Sequence, residues 1–208
     1  MPTLPPVAHG TELALVGTAS APTWLSQRLE SGQYPDTVAA FRAAREIFIE
    51  GQRIDMGRLA TQLGIDRTSL FRWVGNRDSL LSEVLWSLAV PTLSQADRAS
   101  AGRRGADRVV SVLTLFAENL ITAGYFRSFL SREPARGLRL LTTKESEIQR
   151  RYVAVVEHLV HAELGEQPPD LAYLLVRISE SFTYADLITG DAPSAERARA
   201  AFELVLRP

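Results

Sequence analysis

Between residues 53 and 77 five arginines, Arg53, Arg58, Arg67, Arg72 and Arg77, stand against two carboxylates, Asp55 and Asp66. That window carries +3 in a chain whose 23 basic and 24 acidic side chains sum to −1. Within it, Arg67, Thr68, Ser69, Phe71, Arg72 and Trp73 lie in one short stretch. These are the types that read base edges in a DNA major groove: arginine bonds guanine bidentately, hydroxyls serve either partner, and a ring or methyl meets thymine. Arg77 stands where a following helix begins, and a cation beside free backbone N–H groups suits a phosphate. The plain alternative for each arginine is a solvated helix face. For Trp73 two readings stay open, a backbone contact through the indole N–H or a place in the core.

The surrounding residues must position these groups. A helix packed through Leu70 and Val74 points Thr68 and Arg72 the other way, because residues half a turn apart face opposite sides. Gly64-Ile65-Asp66 joins that helix to a preceding one over Asp55–Leu63, with the glycine supplying a left-handed turn and Ile65 pinning it. Asp55, Asp66 and Asn76 are natural N-caps. Upstream, Pro35-Asp36-Thr37 starts a helix whose stripe is Val38, Phe41, Ala44 and Phe48, closed at Gly51. Residues 1–33, punctuated by proline and glycine, form an N-terminal extension with a short helix near residues 22–31. A fourth helix runs over residues 76–90 to Pro91, and a loop covers 91–103.

Helical periodicity continues through the rest of the chain. One helix carries Val109, Val112, Leu113, Phe116 and Leu120; short ones span Tyr125–Arg132 and Pro134–Leu141. A long one covers 144–164, another runs through Leu171–Ala185, and a last one occupies 194–207. No stretch alternates with period two, so the fold is all-α: a three-helix helix-turn-helix domain (34–80) joined to a larger helical bundle (81–208).

Composition closes other routes. With 46 % hydrophobic and 23 % charged residues the chain buries a real core. There is no cysteine, hence no disulfide framework, thiolate nucleophile or cysteine-based metal site. No apolar run reaches the ~18–20 residues of a membrane span. The Met-Pro-Thr-Leu-Pro-Pro start lacks the features of a secretory signal, so a cytoplasmic location is expected. Phosphate-loop, dinucleotide, zinc-protease and nucleophile-elbow patterns are missing, which argues against an enzyme. His158 and His161 have metal-pair spacing but no third placed ligand, so no metal or other cofactor is expected. Near-neutrality is spread evenly, with 7 basic and 7 acidic residues over 34–90 and 15 of each over 91–208. Binding to DNA would therefore lean on base readout more than on bulk charge. Of the 23 basic residues 22 are arginine, the residue suited to bidentate contacts.

The run Gly64-Ile65-Asp66-Arg67-Thr68-Ser69-Leu70-Phe71-Arg72-Trp73-Val74-Gly75-Asn76-Arg77-Asp78-Ser79-Leu80-Leu81 resembles the recognition-helix signature of the TetR family of bacterial transcriptional regulators. Phe48-Ile49-Glu50-Gly51 and Arg58-Leu59-Ala60 match the family's flanking helices, so the motif covers roughly residues 37–85. The resemblance implies that Arg67, Thr68, Ser69 and Arg72 face bases. It implies that Phe71 and Trp73 occupy the two positions that usually touch backbone, and that Arg77 takes the phosphate-binding position. Phe71 lacks the family's phenolic hydroxyl, and Asp55 replaces a cap hydroxyl with a carboxylate that repels phosphate.

The resemblance also implies a C-terminal effector site, a homodimer and a double-stranded, pseudo-palindromic operator. Thr114, Asn119, Tyr152, Arg177, Ser181 and Tyr184 interrupt or border apolar stripes, and polar groups buried there either bond one another or line a cavity; Phe116 of the stripe joins them as an effector-site candidate. Such a lining suits a mostly apolar effector of acyl, lactone or aromatic type, and a buried Arg177 would favour a carboxylate or carbonyl. Leu174, Ala198, Ala201, Phe202 and Val205 make a stripe suited to a dimer interface, with packing inside the subunit as the alternative. The implied function is a ligand-released repressor. The alternative is a helical ligand-binding or protein-interaction module that has lost DNA binding.

Overall fold

The computed structural model describes residues 22–206. Among them every regular element is an α-helix. These are α1 (Trp24–Glu30), α2 (Pro35–Ile49), α3 (Met56–Gln62), α4 (Arg67–Val74), α5 (Arg77–Ala99), α6 (Gly105–Thr122), α7 (Gly124–Arg132), α8 (Pro134–Thr142), α9 (Glu147–Leu164), α10 (Leu171–Thr183), α11 (Ala185–Ile188) and α12 (Ala195–Leu206). The all-α class and the short helix near residue 24 agree with the sequence. The start of the N-terminal extension and residue 207 lie outside the described residues. No single described helix is long and apolar enough to cross a membrane.

The described chain forms two compact units, one of residues 22–88 with 124–148, the other of 89–123 with 149–206. In the first, here the head unit, α2 packs on α3, α4, α1 and α7. Its inner face is Ala40, Phe41, Ala44 and Phe48, all nearly or fully buried, as the stripe implies. Pro35 at the first turn and Asp36 beside it start the helix where a missing N–H and a negative charge both suit its terminus. Asp55 and Asp66 cap α3 and α4 as expected, and between them Gly64 adopts φ +68°, the left-handed conformation that a side chain resists. Phe48 meets Phe129 of α7 with ring centroids 5.5 Å apart and Tyr125 at 5.9 Å. The α7–α8 pair is close because Gly137 has no side chain: a Cβ there would sit 2.6 Å from Leu130 Cδ2.

The sequence division at residues 80 and 81 separates motifs, whereas compactness groups α7 and α8 with the helix-turn-helix helices. A second difference concerns Pro91, where the fourth helix was expected to stop ahead of a loop. Instead α5 continues to Ala99 with Pro91 inside it. An internal proline costs about 3 kcal/mol. Burial of Leu93 and Ala96 beyond it opposes that cost, since a buried leucine alone contributes about 1.5–3 kcal/mol. Ser94 Oγ also donates to the Val90 carbonyl at 3.1 Å.

In the second, C-terminal unit, α12 lies against α6 and α10, and α6 against α10. Val109, Val112, Leu113 and Phe116 of α6 are buried, as are Leu175 and Val176 of α10 and Ala198 and Phe202 of α12. Here α10 ends at Thr183, two residues before its expected end at Ala185, and α11 follows as a separate short helix.

Candidate functional site

In the head unit α4 is fixed from beneath: Leu70 and Val74 are fully buried. Arg67, Thr68, Phe71 and Arg72 are consequently exposed on the outer face, and Ser69 and Trp73 are half-buried beside them. The structure thus brings the six expected α4 residues onto one outward strip or its margins. Arg67 lies over the Phe71 ring, its guanidinium carbon 5.9 Å from the centroid. Ser69 is turned back toward the cap, its N–H on Asp66 Oδ1 at 2.9 Å and its hydroxyl on Asp66 Oδ2 at 2.7 Å. The Trp73 carbonyl accepts from Thr37 Oγ1 at 3.4 Å, which ties the end of α4 to the start of α2. A shallow open depression between α3 and α4 is lined by Arg58, Thr61, Gln62, Ile65, Asp66 and Arg67 among others.

The cap carboxylates stay ionised at this surface. The backbone N–H of Arg58 holds the Asp55 carboxyl below its ordinary range, helped by that of Gly57. The Ser69 backbone N–H and hydroxyl do the same for Asp66. Both negative charges face solvent beside the arginines.

Arg77 is placed differently from Arg67 and Arg72. Its side chain is only 14 % exposed and grips Glu133 with both terminal nitrogens, at 2.7 and 2.5 Å. Its Nε donates to the Ile54 carbonyl at 2.5 Å. Glu133 also receives Arg136 at 3.2 Å and Arg53 at 3.9 Å, while Asp78 pairs with Arg136 and Arg139. Arg77, chiefly through its hydrogen bonds, keeps the Glu133 carboxyl below the usual range, and Arg53 and Arg136 add to this. Nothing near Arg77 in sequence announces Glu133, 56 positions away.

Two further contacts of the head escaped the sequence reading. Arg28 of α1 lies between the rings of Tyr34 and Trp24, at 3.8 and 4.8 Å, and donates to Thr37 at 3.3 Å. Buried Glu83 of α5 accepts from Thr23 at 2.5 Å and from Ser26. These lock α1 onto the head.

In the C-terminal unit the Phe116 and Tyr152 rings meet, their centroids 5.1 Å apart. Tyr184 is buried, and Asn119 is half-buried with its amide donating to the Leu115 carbonyl at 2.7 Å. Ser181 faces outward and bonds the Arg177 carbonyl, so it does not join them. Arg177 is 35 % exposed and pairs with Glu180, which is itself buried. The buried charge is therefore a carboxylate rather than a guanidinium. Burial pushes the Glu180 carboxyl up to about 7 against the opposing pull of Arg177 and Gln149, and burial likewise pushes the Tyr152 phenol up. Gln149, Ser179 and Glu180 were missed, yet the signal was there. Glu180 continues the Ala172, Val176 register of α10, and Gln149 lies one turn before Tyr152. Thr114 Oγ1 is buried without a hydrogen-bond partner.

The stripe expected at a dimer face divides. Ala198 and Phe202 are fully buried within the subunit, because α12 turns them toward α6 and α10. Ala201 and Val205 are half-buried, whereas Leu174 is 46 % exposed. Tyr173 and Leu204 are exposed apolar side chains on the same two helices. His158 and His161 are both solvent-facing.

Residues 104–207 match the family described as Tetracyclin repressor-like, C-terminal domain. Among solved structures the chain is similar to the R. erythropolis transcriptional repressor QsdR, described as from the TetR family. The identity is 24 %, the match covers 84 % of this chain and 95 % of that one, and the TM-score is 0.73. At that identity the likeness is one of fold. No match to a curated protein is found.

Proposed function

The chain belongs to the TetR family of transcriptional regulators, and from that premise we propose that it is a homodimeric repressor that leaves its operator when a small, mostly apolar effector binds the C-terminal unit. The observation that carries the reading is α4: Leu70 and Val74 anchor it while Arg67, Thr68 and Arg72 stand free of the core. Two such helices in a dimer reach successive major grooves of a pseudo-palindromic site, about 34–36 Å apart. Effector and operator prefer different conformations, and the coupling is reciprocal: each weakens the other's binding by the same factor. The helix α5, which contributes to both units, is the natural lever. A gel shift with genomic fragments tests the reading, and failure to prefer any sequence at low salt rules it out.

One observation favours the alternative of a ligand-binding or interaction module without DNA function. Arg77 spends its donors on Glu133 and Ile54, and the Asp55 and Asp66 carboxylates sit at the same surface. Dimer formation with no DNA binding at any salt concentration would select that alternative.

A further inference from the structure

Three side chains of the C-terminal unit converge with polar atoms left over. Gln149 is 3 % exposed; its amide adjoins the Glu180 carboxyl, but neither its nitrogen nor its oxygen has a hydrogen-bond partner of good geometry. The Tyr152 hydroxyl is buried without a partner of good geometry, although Ser179 adjoins it. Glu180 is 4 % exposed; Arg177 pairs with its Oε2, and its Oε1 is unmatched. The three are neighbours: Gln149 acts on the Glu180 carboxyl, and the Glu180 charge acts on the Tyr152 phenol. Buried polar atoms are nearly always hydrogen-bonded, and leaving them unpaired costs free energy. So many at one place are complementary to something the lone subunit lacks. The apolar flank of the cluster is the Phe116 ring, stacked obliquely beside Tyr152.

We propose that Gln149, Tyr152 and Glu180 bind the polar head of the effector, and that this head is uncharged and carries both a hydrogen-bond donor and an acceptor, as in an amide or alcohol on an apolar body. Gln149 offers one donor and one acceptor, Tyr152 a hydroxyl that serves either way, and Glu180 an acceptor. A carboxylate head fails here. Glu180 already balances Arg177, so a second anion beside it would be buried without a counter-charge. The inference rests on the effector-binding reading above, and of the two groups a buried Arg177 was expected to favour, a carboxylate or a carbonyl, it excludes the carboxylate.

The test uses the full chain at pH 8 with octanamide, 1-octanol and octanoate, read by thermal shift and calorimetric titration. Octanamide and octanol should raise Tm saturably, with octanoate at least tenfold weaker. Gln149→Leu should weaken octanamide at least tenfold. Glu180→Gln should admit octanoate to within tenfold of octanamide, a gain that a misfolded variant cannot mimic. Equal binding of octanoate and octanamide by the unaltered protein, undiminished octanamide binding by Gln149→Leu, or no saturable shift with either neutral probe overturns the inference. Gel shifts on the same samples separate the two readings. Operator binding without probe binding leaves the regulator and removes this site; probe binding without operator binding does the reverse.

Discussion

Arg77 and Glu133 form a two-pronged ion pair, 2.7 and 2.5 Å between their donor and acceptor atoms, that joins the start of α5 to the junction of α7 and α8 inside the head unit. Both side chains are less than 15 % exposed. A pair so placed is worth more than a surface salt bridge, and removing one partner strands the other charge.

Arg77→Ala and Glu133→Gln should therefore each destabilise the fold by roughly 1–3 kcal/mol, and the double variant should cost less than the sum. Chemical denaturation in a double-mutant cycle checks this. If Arg77 contacts phosphate as well, its loss also lowers the salt slope of operator binding by about 1. An unchanged slope assigns Arg77 to the fold alone.

The same pair has a pH signature. Because the folded-state pKa of Glu133 is lowered, mainly by Arg77, its stabilisation is present above the ordinary carboxylate range and is lost as pH falls through the lowered value. Acid unfolding of Glu133→Gln should be shallower than that of the unaltered protein.

Arg72 is exposed on α4, so Arg72→Ala should leave Tm within about 1 °C because surface changes rarely exceed a few tenths of a kcal/mol. Its effect should appear at one operator position, as a loss of about 1–3 kcal/mol of base discrimination. Binding titrations against single-base operator variants read it directly. Uniform weakening across all variants would move Arg72 to the phosphate contacts.

For Glu180 the sign is opposite to that of Glu133. Burial raises its folded pKa to about 7, so the folded state holds its proton more tightly than the unfolded chain. Stability is full below the ordinary glutamate range and falls as pH rises toward 7, by on the order of 3 kcal/mol. Arg177 from α10 and the neutral Tyr152 from α9 are the groups that face it. Glu180→Gln should abolish this decline, so that denaturation midpoints at pH 5 and pH 8 converge.

The α12 stripe separates two roles. Phe202→Ala, at a fully buried position, should cost about 3–5 kcal/mol. Leu174→Glu, at a half-exposed one, should leave the subunit folded and yield monomers by analytical ultracentrifugation if α10 lies at the dimer face. A dimer that survives Leu174→Glu removes that face from consideration.

The helix-turn-helix was legible because its determinants are local. Asp55 and Asp66 cap, Gly64 turns, and Leu70 and Val74 mark the inner face within one short window. Residues whose partners come from far along the chain were not. Arg77 reads as a phosphate-binding cation because the sequence does not show Glu133 against it, and Pro91 reads as a stop because the sequence does not show the burial of Leu93. The α12 stripe gave the correct periodicity without saying which neighbour it meets. Glu180 was overlooked for a simpler reason: charge in a core register looks like an interruption, although its position matched the buried face.

The way the chain is shared between the two units limits how it can be taken apart. It crosses from one to the other after Leu88, after Ala123 and after Ile148. Neither unit is a single contiguous piece, so no one cut releases either of them intact. A truncation after residue 90 that keeps the whole helix-turn-helix would still discard α7 and α8, leaving Arg77 without Glu133 and Phe48 without Phe129. The helix-turn-helix is in this sense not a detachable module. Loss of the later helices should unravel it, and proteolysis should produce either the whole protein or small fragments, with no stable head between them.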